Sequence, residues 1–273
     1  MKTISIPTRA PGDFVIAHAT DLHPDGGVAF AHSVALARDT GARLVSLHAN
    51  PRGEVRPMPD AATLLMTWSS DSPQIEHIKI VHECCDAPID TLLDALGQID
   101  ADLLIVGTHQ WTGLGRALHE SVAESVAAQV NIPLLVLPIG KKGFIDHEGR
   151  LGLRRILIPA GDFFESTIAV QTLTTLLDRL ELSDIDIHLL RVGDDEVLDS
   201  VQTTERDGWR WHKEYREGKV VDEIVAACED LASDLVVMTS RGQDGILDIF
   251  RGSQTQRAIR AMSRPILVVP LHP

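Results

Sequence analysis

Short apolar runs alternate with amphipathic stretches along the 273-residue chain. In the first half the runs are FVIAHA, LVSLHA, IKIVHE, LLIVG and LLVLP, rich in β-branched and aliphatic residues as strands require. Between them, VAFAHSVALARDTG and PIDTLLDALGQID carry apolar residues near spacings of three, four and seven, as does VVDEIVAACEDLA in the second half. That spacing predicts helices that bury one face. The first of these closes on Gly41, the residue that best tolerates the left-handed conformation ending a helix. Near-continuous apolar strands separated by helices predict an α/β fold, a doubly wound and mainly parallel sheet with helices on both faces. In such sheets ligands sit beyond the carboxyl ends of the strands, beside helix N-termini.

The pattern occurs twice. ADLLIVGTHQ (Ala101–Gln110) matches SDLVVMTSRG (Ser233–Gly242), and NIPLLVLP (Asn131–Pro138) matches SRPILVVP (Ser263–Pro270), both at an offset of 132 residues. Upstream, FVIAHATD (Phe14–Asp21) resembles RILIPAGD (Arg155–Asp162) at an offset of about 140. The chain therefore reads as two copies of one unit, residues 1–140 and 153–273, each with its own five-stranded sheet. The segment 141–152, rich in glycine and charge, joins them.

In the second copy the run DLVVM is followed by Thr239, Ser240, Arg241 and Gly242, then after nine further residues by Gly252 and Ser253. Glycines let a backbone approach an anion closely, Ser253 offers a hydroxyl, and Arg241 and Arg251 offer charge. From composition alone this is either a phosphate site or a glycine-containing turn with two solvated arginines. The spacing Thr239-x2-Gly242-x9-Gly252-Ser253, set between two apolar strands, resembles the ATP-binding pattern of universal stress proteins. The resemblance covers both copies nearly end to end and implies a tandem universal stress protein with a five-stranded parallel layer in each unit. It further implies that Gly242, Gly252 and Ser253 line the phosphates of ATP or a related adenine nucleotide. Gly218 matches a glycine that often follows the third strand. The last strands, LLVLP and ILVVP, would pair the two units, and binding would alter a surface read by a protein partner.

Departures from the family pattern matter as much. Thr239 replaces its first glycine, which is costly only if that position needs positive φ. The family's acidic residue near the nucleoside falls on Gly161, with Asp162 one place later as a substitute contact. In the first copy Gly107 and Ser121 fit the motif, and Asp21 fits the acidic position, but Gln110 and Glu120 replace the other two glycines. A carboxylate beside a phosphate at ~4 Å costs about 1 kcal/mol in water and about 4 at the effective dielectric of a protein surface. The first copy is thus expected to be degenerate, with a structural or regulatory role.

Composition narrows the remaining classes. A net charge of −14 argues against broad nucleic-acid or anionic-membrane binding. Three cysteines, two of them adjacent, suit reduced thiols in a cytoplasmic protein, and no apolar run is long enough to span a bilayer. His18, His23, His48, His82 and His109, with Cys84 and Cys85, fall near expected strand ends, where a first-domain zinc site is conceivable although no tight ligand spacing is present. Trp209, Trp211, His212 and Tyr215 alternate with basic residues as in single-strand binders, but they occupy a strand position where packing is the simpler role. No Gly-x-Ser-x-Gly elbow, Walker sequence or poised general base stands out, so no catalytic residue is nominated. The alternative to nucleotide binding is an interaction module whose glycine loop is a relic.

Overall fold

A computed structural model describes residues 12–50, 57–69, 71, 73–83, 88–108, 131–193, 197–240 and 264–271. The strands are β1 (Val15–Ala19), β2 (Arg43–Asn50), β3 (His77–Glu83), β4 (Leu103–Thr108), β5 (Leu134–Pro138), β6 (Arg155–Pro159), β7 (Ile185–Val192), β8 (Trp209–Arg216), β9 (Leu235–Ser240) and β10 (Ile266–Pro270). The described helices are α1 (Gly27–Thr40), α2 (Ala61–Trp68), α3 (Pro88–Ile99), α4 (Phe163–Arg179), α5 (Val197–Ser200) and α6 (Val220–Asp230).

The α/β class and the parallel pairing within each copy follow the sequence pattern, and the two five-stranded layers are not separate sheets but are joined through the last strands that the resemblance pairs. All ten strands form one sheet in the order β3-β2-β1-β4-β5-β10-β9-β6-β7-β8. Its seam is antiparallel, with Ile266 opposite Val136, Leu267 opposite Leu135 and Val268 opposite Leu134. All six side chains are buried. Two apolar strands would otherwise each present an unpaired edge, and pairing them removes both edges.

Strand alternation divides the core between two faces. Ile16, Ile105, Ile156 and Leu267 share one cluster with Leu36 of α1, Leu65 of α2 and Leu173 of α4. Val15, Leu104, Leu157 and Val268 face the other way, against Leu92 and Leu96 of α3 and Ile224 and Cys228 of α6. Helix α1 ends as expected on Gly41, at φ 66°, whose amide donates to the Ala37 carbonyl.

The register fixes which residues of the two copies correspond. Ile16 stands opposite Leu103, and Ile156 stands opposite Leu235. Leu103 and Leu235 are counterparts at the offset of 132, so the first strands correspond at an offset of 140. Hydrogen bonding repeats in the same frame. Asp102 Oδ2 accepts the Val15 N–H at 2.9 Å, and Asp234 Oδ2 accepts those of Arg154 and Arg155, each at 2.9 Å.

The segment joining the copies packs onto the first. Phe144 is buried, its N–H donates to His32 Nε2 at 3.0 Å, and its ring meets the imidazole edge-on. Arg38 donates to the Gly149 carbonyl at 2.7 Å and lies over the Trp68 ring. The tryptophans of β8 also serve packing: Trp209 and Trp211 donate their indole N–H to the Leu182 and Thr204 carbonyls.

Candidate functional site

From β6 the chain runs outward through β7 to β8 and then returns to lay β9 on the other flank of β6. The carboxyl ends of β6 and β9 therefore border the point where strand order reverses, the crevice in which open α/β sheets hold ligands. Four described residues singled out by the sequence gather around this edge. Thr239 is the penultimate residue of β9, in register with Val269. Gly161 and Asp162 lie two and three residues past the end of β6, and Gly218 lies two residues past the end of β8.

Thr239 lies in extended strand backbone and is absent from the residues with positive φ, so the missing glycine costs no backbone strain there. Its counterpart Gly107 is also a strand residue, packed against Ile139 and Ala29. Gly218 does need to be glycine, with φ 141° and Glu223 Oε1 only 2.7 Å from where a Cβ would stand. Arg241, Gly242, Arg251, Gly252 and Ser253 lie outside the described residues, as do Gln110, Glu120 and Ser121 of the first copy.

Asp162 is the N-cap of α4. Its Oδ1 accepts the Glu165 N–H at 2.9 Å, while Glu165 Oε2 reaches back to the Asp162 N–H at 3.3 Å, completing a capping box. The return of the Glu165 side chain carries its carboxylate over Gly161. Arg191, near the end of β7, donates from Nη1 to the carbonyls of Ala160 and Gly161 at 3.1 and 2.9 Å.

The first copy offers a parallel. Thr20 N–H donates to the Leu47 carbonyl as Ala160 N–H donates to that of Leu190, so His48 and Arg191 occupy the same place, one residue further along. His48 Nδ1 hydrogen-bonds the Thr20 carbonyl at 2.9 Å, the counterpart of the bond from Arg191 to Ala160. Both copies thus use a basic side chain at the end of the second strand to pin the end of the first. Asp21 is exposed, and its Oδ1 accepts the His23 N–H at 2.9 Å.

Of the histidines expected near strand ends, His18, His23, His48 and His82 fall within the described residues. Among the described residues no group of three or more His, Cys, Asp or Glu is placed to hold a metal. His48 is occupied at Thr20, while His18 is buried and faces Ser46 Oγ at 3.4 Å. Ser46 Oγ is also 2.9 Å from His77 Nε2, and His77 Nδ1 accepts the Ala61 N–H at 3.3 Å. The last bond fixes one tautomer: the His77 proton sits on Nε2 and points at Ser46 Oγ. Burial holds these imidazoles neutral, with His18 lowered to about 3 and His77 to about 4. His109, Cys84 and Cys85 lie outside the described residues.

A cavity of about 310 Å³ opens between the copies, lined in part by Phe14, Asp102, Leu103, Thr172, Arg179 and Leu267. It lies at the amino ends of β1 and β4 of the first copy, against the α4 residues of the second and the seam residue Leu267. No described helix is long and apolar enough to cross a membrane.

Sequence reasoning missed Glu165 and Arg191 at the switch edge. The Asp-x-x-Glu spacing of a capping box was visible at positions 162–165, but it signals a helix start rather than a binding group. Arg191 carried no signal beyond its place at the end of an apolar run.

Comparison with known proteins agrees with this architecture. The profile of the universal stress protein family matches residues 15–138 and 203–270. A universal stress protein of Methanocaldococcus jannaschii is 37% identical over 83 residues, covering 30% of this chain and 49% of that protein. The chain therefore spans about half the length of that curated relative. A crystal structure of a universal stress protein from Archaeoglobus fulgidus superposes with a TM-score of 0.64 at 14% identity, covering 94% of this chain and 98% of that one. A Pseudomonas aeruginosa protein described as functionally unknown superposes with a TM-score of 0.60 at 12% identity, covering 95% and 93%. At these identities the structural likeness is one of fold.

Proposed function

Because the chain belongs to the universal stress protein family, with two such domains in one chain, we propose that its second domain, residues 153–273, binds ATP or a related adenine nucleotide. The observation that carries the reading is the spacing Thr239-x2-Gly242-x9-Gly252-Ser253, which begins at the carboxyl end of β9 beside the switch point. The local fit supports it, since Thr239 sits unstrained where the motif begins. Gly242 and Gly252 would let backbone amides approach the phosphates, Ser253 would add a hydroxyl, and Arg241 and Arg251 would offset phosphate charge. The nucleoside would then lie toward the ends of β6 and β7.

The first domain, residues 1–140, is by this reading a degenerate partner with a structural or regulatory role, joined through residues 141–152. Glu120 stands there at a motif glycine, where its charge would oppose a phosphate. The protein then acts as a nucleotide-responsive stress protein in the cytoplasm.

Purified protein denatured by acid or heat is expected to release adenine nucleotide at no more than one per chain, read by absorbance and chromatography. Protein freed of nucleotide should melt higher with ATP, because a ligand at a hundred times its Kd adds about 2.7 kcal/mol. Release of two per chain contradicts the degenerate first domain. No release combined with no thermal shift at millimolar ATP contradicts the reading as a whole.

A further inference from the structure

We propose that the Glu165 carboxylate is the ribose-hydroxyl acceptor of the second domain, so that this site prefers ribonucleotides to their 2′-deoxy forms. The inference rests on the nucleotide reading above and adds to it a residue and a ligand class.

Backbone register is the starting point. Through the pairs Ile16 with Leu103 and Ile156 with Leu235, Gly161 is the counterpart of Asp21. In the first domain that position places a carboxylate just beyond the carboxyl end of β1. In the second it carries no side chain, so in the sequence the acid is simply missing. The next residue does not restore it, because Asp162 Oδ1 is directed to the first turn of α4, where it accepts the Glu165 N–H.

Glu165 runs the other way. It is the third residue of α4, and its side chain folds back so that Oε2 accepts the Asp162 N–H at 3.3 Å. A Cβ built on Gly161 would collide with that Oε2 and would lie 2.9 Å from the carboxyl carbon of Glu165. An aspartate carries its carboxyl carbon about 1.5 Å from its own Cβ, one carbon–carbon bond away. The Glu165 carboxylate thus occupies the space into which an aspartate at position 161 would project its own. Glycine at 161 is what admits it, since any side chain there would displace it. The peptide beneath is fixed as well, because Arg191 Nη1 holds the Ala160 and Gly161 carbonyls.

Geometry and chemistry agree. The displaced acid stands just beyond the carboxyl end of β6, the strand flanking the switch point, and in dinucleotide-binding sheets it is likewise an acid, from the next strand, that takes the ribose hydroxyl. A carboxylate only accepts, and it has about four lone-pair directions, so it can hold a backbone N–H and sugar hydroxyls together. The acid has moved from the strand end to the third residue of the following helix while keeping its place in space.

Full-length protein is titrated calorimetrically with ATP and with 2′-deoxy-ATP. Wild type is expected to prefer ATP by about ten-fold, the value of one hydrogen bond to a charged acceptor. Glu165→Gln retains a residue that completes a capping box. Its melting temperature should match wild type while the preference falls to about two- to three-fold. The double variant Gly161→Asp/Glu165→Ala returns the acid to the first-domain position and should recover the preference despite losing the capping box. If Glu165 serves only to cap α4, the Gln variant keeps the wild-type ratio. That result, or equal affinities in wild type, overturns the proposal and leaves nucleotide binding standing. Failure of wild type to bind either nucleotide removes both.

Discussion

Between pH 7 and pH 5 the protein is expected to lose about 3 to 4 kcal/mol of stability, read as a falling urea midpoint, through two histidines that the fold keeps neutral. His18 is lowered to about 3 by burial and by the nearby His77, and His32 is lowered to about 4 by burial. His32 is committed to a bond that protonation opposes. His32 Nδ1 donates to the Val28 carbonyl at 2.7 Å, so its Nε2 must accept the Phe144 N–H, and an imidazolium has no acceptor to offer. The sign follows from the depressed pKa values. Above about 6.5 both states are neutral and the full stability is present. As pH falls below that value the unfolded chain binds protons the folded chain excludes, at about 1.4 kcal/mol per pH unit for each histidine, until the folded values near 3 and 4 are reached. His77, lowered to about 4, acts in the same direction but is more exposed and adds less. His32→Gln should flatten the pH slope, because one titrating group is gone. A midpoint that is level from pH 7 to pH 5 contradicts the buried neutral network.

Leu267→Asp is expected to lower the melting temperature by about 8 °C or more, whereas Val81→Asp leaves it within about 2 °C. Leu267 is 1% exposed and pairs with Leu135 at the antiparallel seam. A carboxylate there has no water and no partner, which places it among the unpaired buried charges that cost about 4 kcal/mol or more. For a chain of this size each kcal/mol shifts the melting point by about 2–4 °C. Val81 lies on β3, an outer edge of the sheet, and is 43% exposed, so the same charge stays in water. Equal effects at the two positions, read by calorimetry or circular dichroism, contradict a seam that carries the join between the domains.

The strands were legible because each is a short apolar run flanked by breakers, and the repeat because ADLLIV and SDLVVM preserve the aspartate along with the run. The structure gives that aspartate its purpose: Asp102 and Asp234 tie down the start of β1 and β6 through backbone amides. The joining of the two layers into one sheet came from the family resemblance, which pairs LLVLP with ILVVP, and not from the strands themselves. Nothing in LLVLP or ILVVP distinguishes a strand that ends a sheet from one that meets its counterpart, because both situations demand apolar residues on two faces. The packing of residues 141–152 was hidden by their composition, since among glycines and charges Phe144 buries itself against His32 while Ile145 and Leu151 pack partly buried on the same core. At the candidate site the strand-end residues Thr239, Gly161 and Gly218 were found by spacing. Glu165 was not, because its role depends on a side chain folding back across a helix start, a relation in space that spacing along the chain does not encode.

The central claim is that the second domain, through the loop containing Gly242, Gly252 and Ser253, binds one adenine nucleotide per chain. Calorimetric titration of nucleotide-free protein with ATP, run beside Gly252→Glu, tests it most directly. That substitution copies the Glu120 of the first domain into the second. Wild type is expected to show a single site, and the variant an affinity roughly five-fold to nearly a thousand-fold weaker, the range set by a carboxylate against phosphate in water or at the protein surface. No heat of binding in wild type at millimolar ATP, or a variant that binds as tightly as wild type, would contradict it.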